Sequence, residues 1–510
     1  MDQGVGMAEL LSRVAASSHA VVQPWTTARL HDLLASFDLG SHGITAQSRV
    51  ALYLPNGPLA ATVLLATMTR YCAVPLDPQE PAAAIAARLA KSRVRCLVSV
   101  PGLSDAAQAA AAAASLPLII LEPAPLMPRG GFFLPQPTVA AATACEPEYN
   151  APDDIVLLLH TSGTTGEPRR VRHTLPSLLA AARALAESLA LSPDDVGLNM
   201  MPMHHIGGIT CMLAPLHAGA RMLFCARFDP VEWWRLVSMT TTADPSKPSS
   251  SEPLAVTWCY AVPAMWKAIL SAASRPPMST DAAAQSLPKQ QQRGGHSLRL
   301  VRSGGAALPH ATAVQLREAL GARVVVLPTY SMSECMPVAS PPCGYALERP
   351  GSVGPACGGG ITLHVLREDG GVAPAGHVGA VAIGASGGAA AAAAQLFAGY
   401  DDDDDDGAAE FDVRGPEQQQ HMPLFLTGDL GWLDDDGWLY LTGRASEAIQ
   451  RGGETICPGE VEAAIASHPA LLAIGAEVLA FAAPHDDLGE VVGIAIQQPR
   501  PQPQPQPQQR

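Results

Sequence analysis

The sequence predicts an α/β protein whose mostly parallel sheets are covered by helices on both faces. Short apolar segments rich in β-branched residues alternate along the chain with alanine-rich helical segments. Strands buried on both faces read as near-continuous apolar runs, and such strands separated by helices are typical of parallel sheets. With 510 residues, of which 48% are hydrophobic and 15% charged, the chain is globular and too long for one ordinary domain.

The predicted elements follow in chain order from these segments. Residues 49–57 (RVALYLPNG) read as a buried strand that ends in a turn, and residues 58–73 (PLAATVLLATMTRYCA) read as a helix. Further strands are predicted at residues 94–100, 116–122 and 154–163. Residues 1–20 read as an amphipathic helix more than as a signal peptide, because they contain acids and lack a continuous apolar run.

Four segments depart from this pattern and are predicted to be surface insertions. Their compositions, rich in Ser, Pro, Gln, Gly, Ala or Asp, cannot bury enough apolar surface to fold. They span residues 238–253, 273–297, 384–394 and 401–420, the last of which begins with six aspartates. The Pro/Gln repeat after Gln497 is predicted to be extended and unpacked.

Charge and composition exclude several function classes. The net charge of −15 and the four lysines argue against nucleic acid as a partner, since a phosphate backbone rewards clustered positive charge. The ten cysteines form no CxxC pair, which predicts scattered reduced thiols instead of a zinc site or disulfide framework. No apolar run reaches the roughly 18 residues of a spanning helix. We therefore expect no integral membrane segment and a cytoplasmic protein, with organellar import left open.

The segment HTSGTTGEPRR, residues 160–170, concentrates small polar residues at the carboxyl end of a predicted strand. Open α/β sheets bind their ligands at that end of the strands. Glycines allow the backbone to approach a ligand closely, and hydroxyls with successive N–H groups can surround phosphate oxygens. GxxxxGK[ST] is absent, so this is not a Walker A loop, and no GxSxG surrounds Ser162, so it is not a nucleophile elbow. A phosphate-binding loop is favoured over an ordinary polar loop.

TSGTTGEPRRV resembles the phosphate-binding signature of the adenylate-forming superfamily, which includes acyl-CoA synthetases, aryl-CoA ligases, luciferases and peptide-synthetase adenylation domains. Other segments resemble motifs of the same superfamily in the same order: MPMHHIGG, RSGGAALP, PTYSMSE, RPGSVGP, LTGDLGWLDDDGWLYLTGR and EAIQRGGETICPGEVE. The resemblance covers roughly residues 49–499.

The resemblance implies a fold with two domains. A large N-terminal AMP-binding domain is expected over residues 1–445, with two mostly parallel sheets, flanking helices and a small barrel-like part. A small α+β C-terminal domain is expected over residues 446–498, incomplete, and followed by the low-complexity tail at 499–510. Ser446 matches the hinge about which the small domain rotates in this superfamily.

The resemblance also implies a reaction in which ATP activates a carboxylic acid as an acyl-adenylate and a thiol then takes the acyl group. Mg²⁺ is the implied metal and CoA the implied acceptor. The residues that match the loop around the β- and γ-phosphates are Thr161, Ser162, Gly163, Thr164, Thr165, Gly166 and Arg169. Arg169 stands where the family usually has lysine, and Arg170 where it commonly has glycine.

The remaining site residues come from the later motifs. Glu334 matches the Mg²⁺-linked carboxylate, and Ser333 the hydroxyl at the α-phosphate. The matches to the adenine and ribose contacts are Gly304, Gly305, Ala306, Tyr330, Asp429 and Arg444. His205 matches a histidine beside the acyl pocket, so Thr161, His205 and Glu334 are the implied catalytic residues.

The sequence departs from the family near its end. No lysine follows Lys289, whereas the family has one that contacts the acyl carboxylate and phosphate. We therefore expect weak or absent adenylation by residues 1–510 alone, with nucleotide binding retained. LHTSGTTG, HHIGG and YSMSECMP are similar to the CoA-ligase branch, which favours an acyl-CoA synthetase. Two alternatives stay open: a catalytically impaired relative that binds nucleotide or acyl-adenylate, and an adenylation module that loads a carrier protein.

Overall fold

The computed structural model describes most of the chain. The described residues are 27–123, 132–134, 148–161, 168–238, 255–273, 295–358, 360–385, 395–401, 410–414, 421–452, 454–466, 468–474, 476–485 and 487–497. Chain contacts divide them into two compact units. The first unit contains the described residues of 1–362 and 385–409, and the second those of 363–384 and 410–510. The predicted domain boundary at residues 445–446 stays a prediction.

The helices of the described residues are α1 (Thr27–Ser36), α2 (Pro58–Arg70), α3 (Ala82–Lys91), α4 (Ser104–Ala113), α5 (Leu175–Ser188), α6 (Ile206–Ala218), α7 (Pro230–Val237), α8 (Pro263–Ala273), α9 (His310–Leu320), α10 (Pro458–Ala466) and α11 (Pro469–Ile474). The strands are β1 (Arg49–Leu52), β2 (Cys72–Pro75), β3 (Cys96–Ser99), β4 (Leu118–Ile120), β5 (Glu122–Pro123), β6 (Phe132–Phe133), β7 (Ile155–His160), β8 (Arg170–Thr174), β9 (Val196–Asn199), β10 (Arg221–Phe224), β11 (Trp258–Ala261), β12 (Leu300–Ser303), β13 (Val325–Pro328), β14 (Tyr330–Met332), β15 (Cys335–Ala339), β16 (Ser352–Gly354), β17 (Ile361–Leu366), β18 (Gly379–Ala385), β19 (Glu410–Arg414), β20 (His421–Leu433), β21 (Leu439–Arg444), β22 (Ile449–Arg451), β23 (Glu454–Ile456), β24 (Glu477–His485) and β25 (Gly489–Gln497).

The first unit is built around two sheets. One is six-stranded in the order β4-β3-β1-β2-β7-β8, parallel except for β8, which runs antiparallel to β7. The other is a five-stranded, wholly parallel sheet in the order β10-β9-β11-β12-β13. β2, β3, β11 and β12 are buried along their whole length, as expected for strands covered on both faces. These sheets and helices confirm the predicted α/β class.

One predicted element was too long. The helix expected over residues 58–73 ends at Arg70, because Tyr71 adopts extended dihedral angles (φ −129°, ψ 166°). Cys72 and Ala73 then belong to β2, where Cys72 pairs with Arg49. Both the end of α2, including Thr69 and Arg70, and the start of β2 are buried, so no exposed residue marks the boundary between them.

The second unit contains two antiparallel sheets. In one, the strands of this unit follow the order β21-β20-β18-β17, and β19 pairs with β20. The other has the order β23-β22-β25-β24, and α10 packs against β24. Among the helices of the described residues, none is both long enough and apolar enough to cross a membrane.

The surface insertion predicted at residues 401–420 was wrong in two places. Asp401 is mostly buried and ion-paired, and Glu410–Arg414 form β19 within a sheet. The composition of the aspartate run predicts a surface loop, but its first residue, Asp401, pairs with Arg49 and Arg170. Most of the insertions at 238–253, 273–297 and 384–394 lie outside the described residues, as do residues 1–20 and the tail at 499–510.

Candidate active site

The phosphate-loop motif is closed at its base by two residues that the structure describes. Thr161 directly follows β7, and its backbone N–H donates to the carbonyl of Arg169 at 2.9 Å. The N–H of Arg169 donates in return to Oγ1 of Thr161 at 3.1 Å. Residues 162–167 lie outside the described residues, so Ser162, Gly163, Thr164, Thr165 and Gly166 remain predictions. Thr161 and Arg169 hold the two ends of that segment together.

A tyrosine that the sequence analysis did not single out connects Arg169 with Glu334. The guanidinium carbon of Arg169 lies 3.5 Å from the centre of the Tyr400 ring, which is cation–π distance. The hydroxyl of Tyr400 donates to Oε1 of Glu334 at 2.8 Å. Two predicted site residues from different motifs are therefore joined through one aromatic side chain.

Tyr400 is held in place by the backbone around it. The N–H of Ala398 donates to the carbonyl of Arg172 at 2.7 Å, and Tyr400 forms an antiparallel bridge with Val171 of β8. The chain thus runs along β8 directly before the aspartate run. This edge pairing brings the ring to the base of the phosphate loop.

Asp401 anchors the same segment electrostatically. Its carboxylate accepts two hydrogen bonds from the Arg49 guanidinium, at 2.6 and 2.7 Å. Nε of Arg170 lies 3.3 Å from Oδ2 of Asp401, and the Arg170 side chain also donates to the Asp401 carbonyl. Arg170 is thus a buried structural cation at the first position of β8, where the family commonly has glycine.

Glu334 lies in the β14–β15 turn and is 7% exposed. Its backbone carbonyl accepts from Phe397, while Oε1 accepts from Tyr400. Within the described residues, no cluster of three or more His, Cys, Asp or Glu side chains could hold a metal. A single carboxylate fits Mg²⁺, because this ion keeps several waters and is commonly bound by one or two carboxylates plus substrate phosphates.

The other residues of the PTYSMSE motif surround Glu334. Tyr330 is buried in β14 opposite Ala339, and its hydroxyl contacts the sulfur of Met332 at 3.8 Å. Ser333 is half-buried, and its backbone bonds to the ring of His173 on β8. Burial lowers the pKa of His173 to about 4, and the bond to Ser333 only partly offsets this. His173 is therefore a neutral residue that supports the Ser333–Glu334 turn.

The segment predicted to contact adenine follows β12. Gly304 is buried, whereas Gly305 and Ala306 are exposed. Gly305 has φ +80°, a left-handed conformation that favours glycine. A Cβ at Gly304 would lie 2.9 Å from the Tyr260 hydroxyl and 3.0 Å from Oγ1 of Thr329. Glycine at position 304 is thus required by close packing at the carboxyl edge of the second sheet.

His205 is the N-cap residue of α6 and is exposed. Its ring is 4.4 Å from that of His204, whose Nε2 lies 3.8 Å from Oδ2 of Asp77. Surrounding protein atoms desolvate both rings, so the pKa of His205 is lowered and that of His204 falls to about 4. Both imidazoles are expected to be neutral at pH 7. The adjoining cavity of about 420 Å³ is lined by Asn56, Asp77, His204 and Met265 among others.

The two residues predicted to contact ribose, Asp429 and Arg444, belong to the second unit, where they pair with each other. Asp429 on β20 and Arg444 on β21 are register partners, and Nε of Arg444 lies 3.0 Å from Oδ1 of Asp429. The backbone N–H of Asp429 donates to Oγ1 of Thr427 at 3.1 Å. The Asp429 carboxylate is buried and the Arg444 guanidinium is partly exposed. The ion pair therefore fixes the orientation of the Asp429 carboxylate.

Comparison with known proteins decides the family. The family model described as AMP-binding enzyme matches residues 29–391, which is most of the chain. The chain belongs to the AMP-binding enzyme family. This confirms the resemblance read from the motifs, and with it the predicted class of enzyme, an acid–thiol ligase.

Relatives of this AMP-binding enzyme are named as CoA ligases. It is 30% identical over 440 residues to the sulfoacetate–CoA ligase of Cupriavidus necator, covering 84% of this chain and 74% of that protein. It is also 30% identical over 488 residues to the oxalate–CoA ligase of Arabidopsis thaliana, covering 92% and 83%.

Solved structures share its fold. The o-succinylbenzoate–CoA synthetase of Bacillus subtilis with ATP and magnesium has a TM-score of 0.73 at 22% identity, covering 96% of this chain and 90% of that chain. ATP-bound MatB from Rhodopseudomonas palustris has a TM-score of 0.70 at 23% identity, covering 98% and 87%. At these identities the likeness concerns the fold alone, and the roles of individual site residues stay predictions.

Proposed function

We propose that this AMP-binding enzyme uses ATP to activate a small carboxylic acid as its acyl-adenylate and then transfers the acyl group to CoA. ATP, Mg²⁺ and CoA are general features of the family. The acids in the names of the two relatives, sulfoacetate and oxalate, are small, and this supports a small acid as substrate. Neither the acid nor the acceptor is fixed by family membership, so both are part of the proposal.

The observation that carries the proposal is the connection from Arg169 through Tyr400 to Glu334. At the base of the phosphate-loop motif, the Arg169 guanidinium carbon lies 3.5 Å from the centre of the Tyr400 ring, and the hydroxyl of Tyr400 lies 2.8 Å from Oε1 of Glu334. Phosphoryl chemistry depends on positioning and charge neutralisation, and a cation together with a carboxylate that would hold Mg²⁺ would supply both.

In the first step, a carboxylate oxygen of the acid attacks the α-phosphorus of ATP. A carbon–oxygen–phosphorus anhydride forms as the bond to pyrophosphate breaks, and pyrophosphate leaves with that electron pair. Arg169 would attract the phosphate oxygens. Glu334 would hold Mg²⁺, which when bound neutralises charge on the phosphates. His205 is neutral and can donate a hydrogen bond to the carboxylate without adding charge.

In the second step, the CoA thiol loses its proton and attacks the acyl carbon. The thioester bond forms as the bond to AMP breaks, and AMP leaves. Asp429, oriented by Arg444, is a suitable acceptor for two ribose hydroxyls during both steps.

The experiment is acid-dependent pyrophosphate release by the 510-residue chain with MgATP and a panel of small carboxylic acids. Adenylation by these 510 residues is expected to be weak, so we expect slow release of pyrophosphate, and only when acid is present. Glu334→Gln should lower this release by at least about 100-fold, because the charge that develops on the phosphates would lose the carboxylate expected to hold Mg²⁺. Glu318→Gln is the control, because Glu318 is an exposed carboxylate on α9. Equal release by Glu334→Gln and wild type would contradict the role of Glu334, and acid-independent release would contradict the proposal.

A further inference from the structure

Arg302, the third residue of β12, is a buried cation with an incomplete set of partners. It is 0% exposed. Nε donates to Oγ1 of Thr329 at 3.0 Å and Nη2 donates to Oγ of Ser331 at 3.1 Å, whereas Nη1 is buried without a hydrogen bond. Across the described residues, no ion pair involves this guanidinium. Burying a charge without an opposite charge is costly, so an arginine retained in this state calls for an explanation.

Other buried arginines of the first unit are paired. Arg70 lies 3.8 Å from the Asp38 carboxylate and donates to the Ala35 carbonyl at 2.7 Å. Arg170 is paired with Asp401. Among the described residues, Arg302 donates to the hydroxyls of Thr329 and Ser331, and its guanidinium carbon lies 5.3 Å from the centre of the Tyr260 ring. Within that part of the chain its positive charge therefore has no anionic partner.

The position of Arg302 places this charge beside the candidate acyl site. Arg302 and Tyr260 are register partners on neighbouring parallel strands, so their side chains share one face of the sheet. Helix α6 begins just after His205, and its first turn packs against Tyr260. A Cβ at Gly207 would lie 2.9 Å from Cε1 of Tyr260. Gly304 touches the same ring at its hydroxyl.

The Tyr260 ring also limits what this space can hold. It fills the gap between the start of α6 and the end of β12, in contact with both glycine positions, and it is 4% exposed. A long alkyl chain directed between these elements would have to displace the ring.

We infer that Arg302 binds a second anionic group, a carboxylate or a sulfonate, carried by the small acid that the enzyme activates. This inference rests on the proposed function and specifies its substrate class. The second group accepts a charge-assisted hydrogen bond from Nη1, completing the partners of the guanidinium, while the first carboxylate reacts near His205. Thr329 and Ser331 fix the orientation of the guanidinium.

The test compares acids of matched size with and without the second anion: malonate against propionate, succinate against butyrate, and sulfoacetate against propionate. In wild type we expect kcat/KM for AMP formation to be higher with the dianionic acid, because a site with a buried charge strongly rejects a ligand that leaves this charge unpaired. Arg302→Met should lower kcat/KM by about 100-fold for dianions and change it little for monoanions. Arg302→Lys should keep part of the preference. Malonate against sulfoacetate distinguishes carboxylate from sulfonate.

Direct binding gives a second readout that does not need turnover. Malonate should raise the unfolding temperature of wild type and of Arg70→Met, a variant at a buried but paired arginine, and should not raise that of Arg302→Met. If Arg302→Met does not fold, Arg302→Lys and Ser331→Ala take its place, with a weaker malonate shift expected in both. A wild type that prefers monoanions, or a preference unchanged in the Arg302 variants, would overturn the inference while leaving the proposed function intact. Absence of AMP formation with every acid would instead contradict the proposed function, and the malonate shift would still decide the role of Arg302.

Discussion

Tyr400 donates a hydrogen bond of 2.8 Å to Glu334, although the two residues lie 66 positions apart in the chain. The ring of the same tyrosine lies under the Arg169 guanidinium. Tyr400 therefore sets the distance between the cation at the base of the phosphate loop and the carboxylate expected to hold Mg²⁺. Through Tyr400, Arg169 and Glu334 are held near each other in the candidate active site.

Removing only the Tyr400 hydroxyl should weaken metal-dependent activity. Tyr400→Phe keeps the ring over Arg169 but leaves Oε1 of Glu334 without its donor, at a cost of about 1.5–3 kcal/mol for a hydrogen bond to a charged group. We expect kcat/KM to fall roughly 10- to 100-fold and the Mg²⁺ concentration dependence to shift. Tyr53→Phe, which loses a hydrogen bond to the Pro78 carbonyl, is the control. The same loss in both variants would argue against a specific role for Tyr400.

Neutralising Asp401 should destabilise the first unit. Asp401→Asn would leave the mostly buried Arg49 and Arg170 without their shared carboxylate, and breaking such a pair costs about 3–5 kcal/mol. Urea unfolding of the variant measures this loss. Glu187→Gln, which removes the exposed pair with Arg183, should cost less than about 1 kcal/mol. Comparable losses in the two variants would show that Asp401 is no anchor.

Replacing Asp429 should remove discrimination at the ribose. Asp429→Ala deletes the buried carboxylate that Arg444 orients at 3.0 Å. Wild type is expected to bind ATP more tightly than 2′-deoxy-ATP, by about 10-fold for one hydrogen bond to a charged acceptor, and the variant should bind both alike. Isothermal titration with the two nucleotides gives the ratio. A ratio that survives in Asp429→Ala would place the ribose contact elsewhere.

The buried His173 should make stability depend on pH. Its pKa in the folded protein is about 4, well below the ordinary 6.5, mainly because burial disfavours the charged ring. Below pH 6.5 the unfolded chain binds a proton that the folded chain does not, so stability is fully present above pH 6.5 and falls as the pH drops towards 4. The loss is at most about 3 kcal/mol for this residue.

The check is the free energy of unfolding between pH 7.5 and 4.5 in wild type and His173→Gln. The variant should show a shallower fall than wild type. His377→Gln, at an exposed histidine, is the control and should keep the wild-type slope. An unchanged slope in His173→Gln would assign the pH dependence to other groups.

Much of the fold could be predicted because its signals are local. β1, β3, β4 and β7 lie within the predicted strands, since strands buried on both faces read as short apolar runs. The end of α2 was missed because helix and strand there are equally buried, Arg70 included, and no exposed residue marks the change. A local signal fails where burial is uniform.

The site was predictable only where motifs carry it. Tyr400 and Asp401 escaped notice because their partners are remote: Asp401 binds Arg49 across 352 positions. The aspartate run also gave Asp401 the composition of a surface loop. Arg302 lies within the RSGGAALP motif, and a lone arginine inside a buried strand was a signal that the motif comparison passed over.

The most direct test of the proposed function is a mass-spectrometric assay of the full chain incubated with MgATP, CoA and malonate. Acyl-CoA and AMP should appear in equal amounts, slowly because adenylation by this chain is expected to be weak, and only when acid, ATP and CoA are all present. Omission of CoA should leave acid-dependent pyrophosphate release and no thioester. Bound ATP without acid-dependent AMP, from malonate or any other small acid, would contradict the ligase and indicate a protein that only binds nucleotide.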